Sequence, residues 1–356
     1  MILSARLLLP ISSPPLPDAS LLIRDGIIRA VGPTSALLRD VSGEPYESLG
    51  NAVILPGLVN AHTHLELTGL HGRLLPARSF TEWAAGLLAL RPTLDRTFFD
   101  ASSMEGAATL LRSGVTCVAD ITSSGASLGP LKALGLRGIV FQEVLGLDPE
   151  QAAGRLNAAE EAVRSLALEA SGSLLSVGLS PHAPYSLSEP LLDRCADFVR
   201  RSNIPATVHL AESPEEVAYI GLGLGPIASD LLPAVGRHAP SHRILGESPT
   251  AFLARLGLLS ERLMAVHAVH LGGSDLELLK QHGVALALCP RSNSHLRVGT
   301  APLPRYLASR LRVGLGTDSL ASNETLSLWD EMRFALALYD GAVTPQQLVA
   351  MCTLGG

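Results

Sequence analysis

Eight short apolar segments, separated by longer stretches with helical periodicity, constrain the fold of this chain more than any other feature. Short runs rich in β-branched residues are typical of parallel strands whose two faces are both buried. Eight strands that alternate with helices predict a (β/α)8 TIM barrel, which needs roughly 250 residues. The predicted strands are 53–60, 115–120, 138–143, 174–180, 206–209, 263–267, 284–289 and 313–316. The predicted helices are 101–112, 149–170, 189–201, 275–282 and 325–338.

A small β element precedes the predicted barrel. Residues 20–32 form two apolar runs on either side of Asp25-Gly26, a dipeptide that favours a tight hairpin turn. The alternation of strands and helices begins only after Asn51. We therefore expect a small N-terminal β-sandwich element over residues 1–50 and the barrel over residues 51–356.

Charge and hydropathy narrow the range of partners. The chain has 27 basic and 33 acidic residues, a net charge of -6, and its basic residues are scattered, which argues against nucleic acid. No apolar run reaches the roughly 20 residues of a membrane span, and Arg6 interrupts the apolar N-terminus, so a secretory signal is not expected. The expected partner is a small molecule, and homo-oligomer formation stays open.

The cysteines bear on the compartment and on the type of metal site. Cys117, Cys195, Cys289 and Cys352 show no paired spacing. This pattern favours reduced thiols in the cytoplasm over a disulfide framework. It also argues against a zinc site built from thiolates.

Polar side chains cluster where the predicted strands end, and in a barrel of this type the active site lies at those carboxyl ends. His62 and His64 are two residues apart on an extended segment, so both side chains point to the same side. With His209 at the end of the fifth strand and Asp318 after the eighth, they form a ligand set that suits Zn²⁺ or Fe²⁺. A lone histidine at a strand end is more often a structural hydrogen-bonding residue, but this coincidence at one rim favours a metal site.

Several segments resemble the amidohydrolase superfamily, and within it the nucleobase and aminopurine deaminases and related chlorohydrolases. They span nearly the whole chain from about Leu21 and stand in the expected order on successive strands. They are PGLVNAHTHLELT, SPHAPYS, VHLAES, VHAVHL and LGTDSLASN. The segments SPHAPYSLS, CPRSNSHL and GTDSLASNETLSLWDEMR look more specifically like the aminodeoxyfutalosine deaminases of menaquinone biosynthesis.

The resemblance implies two further features. Superfamily members with two metals commonly bridge them through a carbamylated lysine after the fourth strand, but here that strand ends in Pro181-His182 and neither Lys132 nor Lys280 ends a strand. We therefore expect a single divalent ion. These proteins also return after the barrel to complete the small sandwich, whereas this chain ends at Gly356, so we expect the N-terminal element to expose apolar surface.

Three residues are candidates for the chemical steps. Glu212, three residues after His209, is placed to carry a proton from an activated water to a ring nitrogen. His267, at the end of the sixth strand, would orient the nucleophile, and Asp318 would pass a second proton to the departing ammonia. The resemblance assigns the same roles to the matching residues. The alternative for Glu212 is a solvent-facing first helical turn, and His270 is expected to hydrogen-bond within the barrel wall.

Substrate contacts are expected from the loops. The alternatives are a structural pairing with a carboxylate at a helix end for Arg291, a place in the core for Phe80 and Trp83, and a place at the barrel rim for Glu66 and Glu143. The resemblance gives His182 a hydrogen bond to the substrate ring. Arg291 is the candidate clamp for a carboxylate, because a guanidinium matches a carboxylate with two parallel hydrogen bonds. Further candidates are Phe80 and Trp83 for stacking, Glu66 and Glu143 for ribose hydroxyls, and Ser319 after the eighth strand.

Three functions compete at this point. The first is a metal-dependent hydrolytic deaminase of an adenosine-like nucleoside, with 6-aminodeoxyfutalosine ahead of S-adenosylhomocysteine, methylthioadenosine, adenosine and guanine. The second is a hydrolase of a cyclic amide or a carbon–halogen bond at the same site. The third is a metal-binding barrel without catalysis, which would not need Glu212 and His267 beside a complete ligand set.

Overall fold

Two compact units divide the chain. In the computed structural model, which describes residues 1–41, 43–74 and 77–356, Met1–Leu58 form one unit and Val59–Gly356 form the other. The two units are described separately below.

The N-terminal unit is built on a mixed sheet. Its elements are β1 (Ile2–Leu8), β2 (Leu16–Arg24), β3 (Ile27–Pro33), α1 (Thr34–Asp40), β4 (Tyr46–Ser48) and β5 (Val53–Ile54). β2 pairs antiparallel with β1 and with β3, while β4 and β5 pair parallel with β1. Asp25 and Gly26 both have positive φ, as the predicted hairpin turn requires. Ile27 and Ile28 are 52% and 57% exposed, so this element exposes apolar surface as expected.

The second unit contains the barrel, and the predicted fold class is confirmed. The barrel strands are β6 (Leu58–Thr63), β7 (Val115–Thr122), β8 (Arg137–Val144), β9 (Leu175–Pro181), β10 (Ala206–Leu210), β11 (Leu263–His267), β12 (Ala285–Leu288) and β13 (Val313–Leu315). They lie side by side in chain order. The backbone N–H groups of Thr317 and Asp318 donate to the carbonyl of His62, each at 3.0 Å, and so bring the last strand to the first. A Cβ on Gly316 would lie 2.7 Å from the backbone nitrogen of His62, so this approach requires glycine.

The first predicted strand, 53–60, is wrong as a single strand. It is divided between β5, which belongs to the small sheet, and β6. Pro56 stands between the two strands and has no N–H to donate to a ladder. The barrel therefore begins several residues later than the apolar run does.

The five predicted helices of the second unit are present with bounds close to those expected, and the unit has further helices that were not predicted. The predicted helix 101–112 begins earlier, at Arg96, because the side chain of Asp95 accepts a hydrogen bond from the backbone N–H of Phe98 and caps it. The helices are α2 (Phe80–Leu90), α3 (Arg96–Arg112), α4 (Leu128–Ala133), α5 (Ala152–Ala170), α6 (Glu189–Ser202), α7 (Pro214–Leu222), α8 (Leu232–Ala234), α9 (Pro249–Arg255), α10 (Gly273–Gln281), α11 (Pro290–His295), α12 (Leu303–Ala308), α13 (Leu328–Leu338) and α14 (Pro345–Met351).

Helix α6 shows why such segments fold against the barrel. Leu191, Leu192, Cys195 and Val199 recur at helical spacing and are buried. The helix ends at Asn203, whose φ of 53° is the left-handed conformation that stops a helix.

No single helix in the described ranges is long and apolar enough to cross a membrane. One pair of helical segments, Pro214–Leu222 and Ile227–Ala234, reaches that length and hydropathy together but is bent by 81°.

Candidate functional site

The carboxyl ends of β6, β10 and β13 bring four candidate metal ligands together. Nε2 of His64 lies 3.3 Å from Nε2 of His209. Oδ1 of Asp318 lies 3.5 Å from Nε2 of His62 and 3.7 Å from Nε2 of His64. Ligand atoms about 2.1 Å from one ion at a tetrahedral angle lie about 3.4 Å apart, so these spacings match a site for one zinc-sized ion.

Two features leave ring nitrogens of the histidines available to bind a metal ion. Among the described residues, neither ring nitrogen of the buried His62 has a hydrogen-bond partner. Nδ1 of His209 donates to the carbonyl of His182 at 2.8 Å. This hydrogen bond fixes the orientation of the ring, with Nε2 directed toward the other ligands. Three imidazoles and one carboxylate therefore fit a divalent transition metal.

The protonation states also suit a metal. Burial lowers the pKa of His64 and of His209 to about 4, and it lowers the pKa of His62 well below its usual value. Burial alone raises the pKa of Asp318, but the facing imidazoles, His62 first, outweigh it and hold that pKa well below its usual range. Neutral imidazoles and an ionised carboxylate are the forms that bind metal ions.

Glu212 and His267 face each other beside this ligand set. Nε2 of His267 lies 3.5 Å from Oε1 of Glu212, and its ring stacks on that of His209 with centroids 5.4 Å apart. Glu212 is only 4% exposed, so it is not a solvent-facing residue of a first helical turn. Burial, with the charge of Asp318 second, raises the pKa of Glu212 well above its usual range. A carboxyl group whose pKa is raised holds a proton more readily than a free one, as a proton carrier must.

Left-handed backbone conformations concentrate at these strand ends. Ala211, His267, Ala268 and Asp318 have φ values of 49°, 68°, 49° and 60°. Such conformations cost about 1 kcal/mol or more for residues other than glycine and often occur at functional sites. The backbone at these strand ends therefore has an unfavourable conformational energy while it holds these side chains in place.

A cavity of about 570 Å³ opens onto this cluster. Apolar side chains contribute much of its lining, and several arginines share it. Leu88 and Val235 are 40% and 42% exposed, whereas the ligand side chains are buried, so the apolar part lies nearer to solvent. The sequence-predicted residues in the lining are His64, Glu66, Trp83, Glu143, His182, His209, Glu212, His267, Asp318 and Ser319.

The predicted substrate-contacting residues in the lining are held by neighbours. Nδ1 of His182 lies 2.8 Å from Oγ of Ser186, and Nε1 of Trp83 donates to the carbonyl of Ala321 at 2.9 Å. Nη2 of Arg91 lies 3.0 Å from Oε2 of Glu143. Burial raises the pKa of Glu143, but the charge of Arg91 outweighs it and brings the pKa to about 2.

The carboxylate of Glu66 is engaged by the loop after β7. It accepts hydrogen bonds from the backbone and hydroxyl groups of Ser123 and Ser124 and from the backbone N–H of Ala126. Although Glu66 lines the cavity, these bonds satisfy its oxygens without a substrate. His270, expected within the barrel wall, donates from Nε2 to the carbonyl of Val298 at 2.6 Å.

Arg291 is not among the residues that line the cavity. Its Nε donates to the side chain of Asn323 and its Nη2 to that of Glu324, both at 3.2 Å. This is the structural pairing that the sequence left open as the alternative. The cavity is lined instead by Arg91, Arg155 and Arg237.

Sequence reasoning missed the residues that hold the candidate catalytic groups. Oγ of Ser292 and Oγ of Ser322 donate to Oδ2 of Asp318, at 2.6 and 2.8 Å. Oδ1 of Asn293 lies 2.9 Å from Nδ1 of His267. The segments PRSN and SLASN contained the signal, because they follow the seventh and eighth predicted strands, but serine and asparagine at such positions are common in turns.

Comparison with known sequences agrees with this geometry. The profile of the amidohydrolase family matches residues 53–356. An aminodeoxyfutalosine deaminase from Deinococcus radiodurans is 34% identical over 336 residues, which are 92% of this chain and 78% of that protein. A 5-methylthioadenosine/S-adenosylhomocysteine deaminase from Nitratidesulfovibrio vulgaris is 31% identical over 348 residues, which are 95% of this chain and 74% of that protein.

Solved structures share the fold. An adenosine deaminase from Xanthomonas campestris with bound zinc has a TM-score of 0.82 and 25% identity, and the match covers 99% of this chain and 78% of that one. The aminofutalosine deaminase from Helicobacter pylori in complex with methylthio-coformycin has a TM-score of 0.84 and 24% identity, with 99% and 85% covered.

Proposed function

This chain belongs to the amidohydrolase family and is a hydrolase of carbon–nitrogen bonds, and from that premise we propose that it removes the 6-amino group of an adenosine-like nucleoside. The observation that carries the proposal is the buried Glu212–His267 pair beside His62, His64 and Asp318 at the end of the cavity. A barrel that only bound metal would not need a proton carrier at that place.

His62, His64, His209 and Asp318 would hold one divalent ion, with zinc the first choice because a zinc-bound relative shares the fold. When bound, the ion supplies Lewis-acid activation of water at neutral pH. The remaining chemistry falls to side chains of the chain.

Hydrolysis of the amine requires two proton transfers. Water adds to C6 of the purine, and the amino group leaves as ammonia, so both water protons must move. Glu212 takes the first proton and delivers it to the adjacent ring nitrogen, which keeps it in the product. Asp318 takes the second and passes it to the departing amine. Nε2 of His267 holds the attacking oxygen in line by a hydrogen bond.

The cavity lining supports a substrate with a large apolar substituent and an anionic end. Leu88 and Val235 belong to its exposed apolar part, and the exposed Arg155 lines the same cavity. Among adenosine-like compounds, 6-aminodeoxyfutalosine carries an aromatic carboxylate as this substituent. We propose it as the substrate, which would place the enzyme in menaquinone biosynthesis. The four cysteines are unpaired, which suits the proposed cytoplasmic location.

S-Adenosylhomocysteine is the second candidate substrate, because a relative of 31% identity is named for it and it also carries a carboxylate. Ammonia release and loss of the adenine ultraviolet band should be followed with zinc-loaded protein on both compounds, methylthioadenosine and adenosine. We expect kcat/KM to be highest for 6-aminodeoxyfutalosine. A higher value for S-adenosylhomocysteine would replace the substrate, and no ammonia from any nucleoside would overturn the proposed deaminase.

A further inference from the structure

We propose that the first turn of helix α11 is a positioning element, in which Asn293 sets the ring of His267 and Ser292 sets the carboxylate of Asp318. This inference rests on the proposed function, since it concerns how the same site is held in a working arrangement. Asn293 and Ser292 touch neither the reacting atoms nor the proposed ion, and they act through the groups that do.

Asn293 determines which nitrogen of His267 carries the proton. Its Oδ1 lies 2.9 Å from Nδ1 of His267, and both residues are 1% exposed. An amide oxygen can only accept, so Nδ1 carries the hydrogen, and in the neutral ring Nε2 then keeps a lone pair. That lone pair faces Glu212, with Nε2 3.5 Å from Oε1. The contact therefore gives His267 an acceptor atom on the side where water must be held.

Ser292 determines which oxygen of Asp318 is available to the imidazoles. Its hydroxyl donates to Oδ2 at 2.6 Å, and the hydroxyl of Ser322 donates to the same atom at 2.8 Å. Oδ1 faces His62 and His64 at 3.5 and 3.7 Å. With Oδ2 engaged twice, the carboxylate has one orientation, and partners of this kind commonly tune a metal ligand.

The turn itself is anchored from three sides. The backbone N–H of Arg291 donates to Oε2 of Glu331, which is fully buried in α13. The backbone N–H of Asn293 donates to the carbonyl of Cys289 at 2.9 Å, and its carbonyl accepts from Val298 at 3.1 Å. Arg291, Ser292 and Asn293 thus contact α13, Asp318 after β13 and His267 at the end of β11. One helical turn therefore fixes the positions of His267 and Asp318 relative to each other.

The test compares Asn293→Leu, Asn293→Asp and Ser292→Ala, with Ser294→Ala as the control, since Ser294 is exposed on the same helix. For Asn293→Leu we expect kcat to fall roughly 10- to 100-fold, with KM and zinc affinity within about two-fold of wild type. Asn293→Asp retains the acceptor oxygen and should restore kcat to within about ten-fold of wild type. Ser292→Ala should weaken zinc binding roughly ten-fold in competition with a chelator.

A readout independent of activity separates this inference from the proposed function. In zinc-loaded protein labelled with ¹⁵N-histidine, Nδ1 of His267 should show the shift of a protonated ring nitrogen, and Asn293→Leu should change it. An unprotonated Nδ1, or kcat and zinc affinity in all three variants no different from Ser294→Ala, would overturn the positioning element. If the ¹⁵N shift of His267 and the weaker zinc binding of Ser292→Ala are both observed but no nucleoside is deaminated, the proposed function is wrong and the positioning element stands.

Discussion

The Nε2 atom of His267 lies 3.5 Å from the Oε1 atom of Glu212, and the two side chains are 1% and 6% exposed. Bulk water is therefore largely excluded from the space between them. Both side chains line the cavity beside Asp318, so a proton held by Glu212 is close to the place where a substrate ring would lie.

The change Glu212→Gln removes the proton carrier but keeps the shape of the side chain. We expect kcat to fall roughly 100- to 10,000-fold, because proton transfer by a positioned group contributes about that much. Bound zinc, measured by elemental analysis, should stay unchanged, since Glu212 is outside the proposed ligand set. Steady-state assay of ammonia release provides the measurement.

Glu105→Gln is the matched control, because Glu105 is exposed on α3 and does not line the cavity. It should keep wild-type kcat. Equal activity of Glu212→Gln and Glu105→Gln would remove Glu212 from the mechanism.

Removal of the metal should abolish deamination and lower the stability of the protein. An ion that binds only the folded state stabilises it by about 2.7 kcal/mol when its concentration is 100 times Kd. We expect dialysis against a chelator to lower Tm and to remove activity, and added Zn²⁺ to restore both. Calorimetry and the ammonia assay on one sample provide the measurements.

His64→Ala should prevent this restoration, whereas His71→Ala should not, because His71 is exposed and lies outside the ligand set. A chelated protein with full activity, or zinc binding that survives in His64→Ala, would contradict the ligand assignment.

Local sequence signals were sufficient for much of the fold. Strand β11 coincides with the predicted strand 263–267, and helix α5 ends at the same residue as the predicted helix 149–170. The hairpin at Asp25-Gly26 follows from a turn whose two central residues need positive φ. The first barrel strand was harder to delimit, because the apolar run 53–60 continues across Pro56 and the pairing partner of each half is decided by tertiary structure.

The sequence could predict those site residues that stand at the carboxyl ends of barrel strands, because these ends converge at one rim. His62, His64, His209 and Asp318 come together because each lies at or shortly after the carboxyl end of a barrel strand. The bond from Asn293 to His267 spans 26 residues and depends on how the first turn of α11 packs, which no periodicity encodes. The side chain of Arg291 projects from the same turn, but Asn323 and Glu324 hold it away from the cavity.

Replacing Arg155, one of the three arginines that line the cavity, should discriminate between substrates with and without a carboxylate. A hydrogen bond to a charged group contributes about 1.5 to 3 kcal/mol, so Arg155→Met should raise KM for 6-aminodeoxyfutalosine roughly 10- to 100-fold. Adenosine lacks the carboxylate, and its KM should stay within about two-fold. Steady-state kinetics with both substrates measure the difference.

Arg291→Met is the matched control, since Arg291 lies outside the cavity lining. It should leave the ratio of the two KM values unchanged. A selective loss of 6-aminodeoxyfutalosine binding in Arg291→Met, with none in Arg155→Met, would return the clamp to Arg291.

An ion-pair cluster away from the active site should make stability depend on pH. Oε1 of Glu189 lies 2.7 Å from Nη2 of Arg243 and 2.8 Å from Nη1 of Arg255, and its side chain is 13% exposed. Burial raises the pKa of Glu189, but the hydrogen bonds from the two arginines outweigh it and bring the pKa from 4.5 to about 2. Folding therefore favours the ionised form of this carboxyl group.

Because the folded-state pKa is depressed, the contribution of Glu189 is complete above the unfolded value of 4.5 and is lost as pH falls toward 2. Because solvent screens an ion pair near the surface, we expect Glu189→Gln to lower the free energy of unfolding by only about 1 to 2 kcal/mol at pH 7. The difference from wild type should shrink at pH 4, where the unfolded carboxyl group is already largely protonated. Urea unfolding at both pH values measures it, with Glu277→Gln on the exposed face of α10 as the control. A difference that is equal at pH 7 and pH 4 would show that the substitution acts through packing and not through the charge of Glu189.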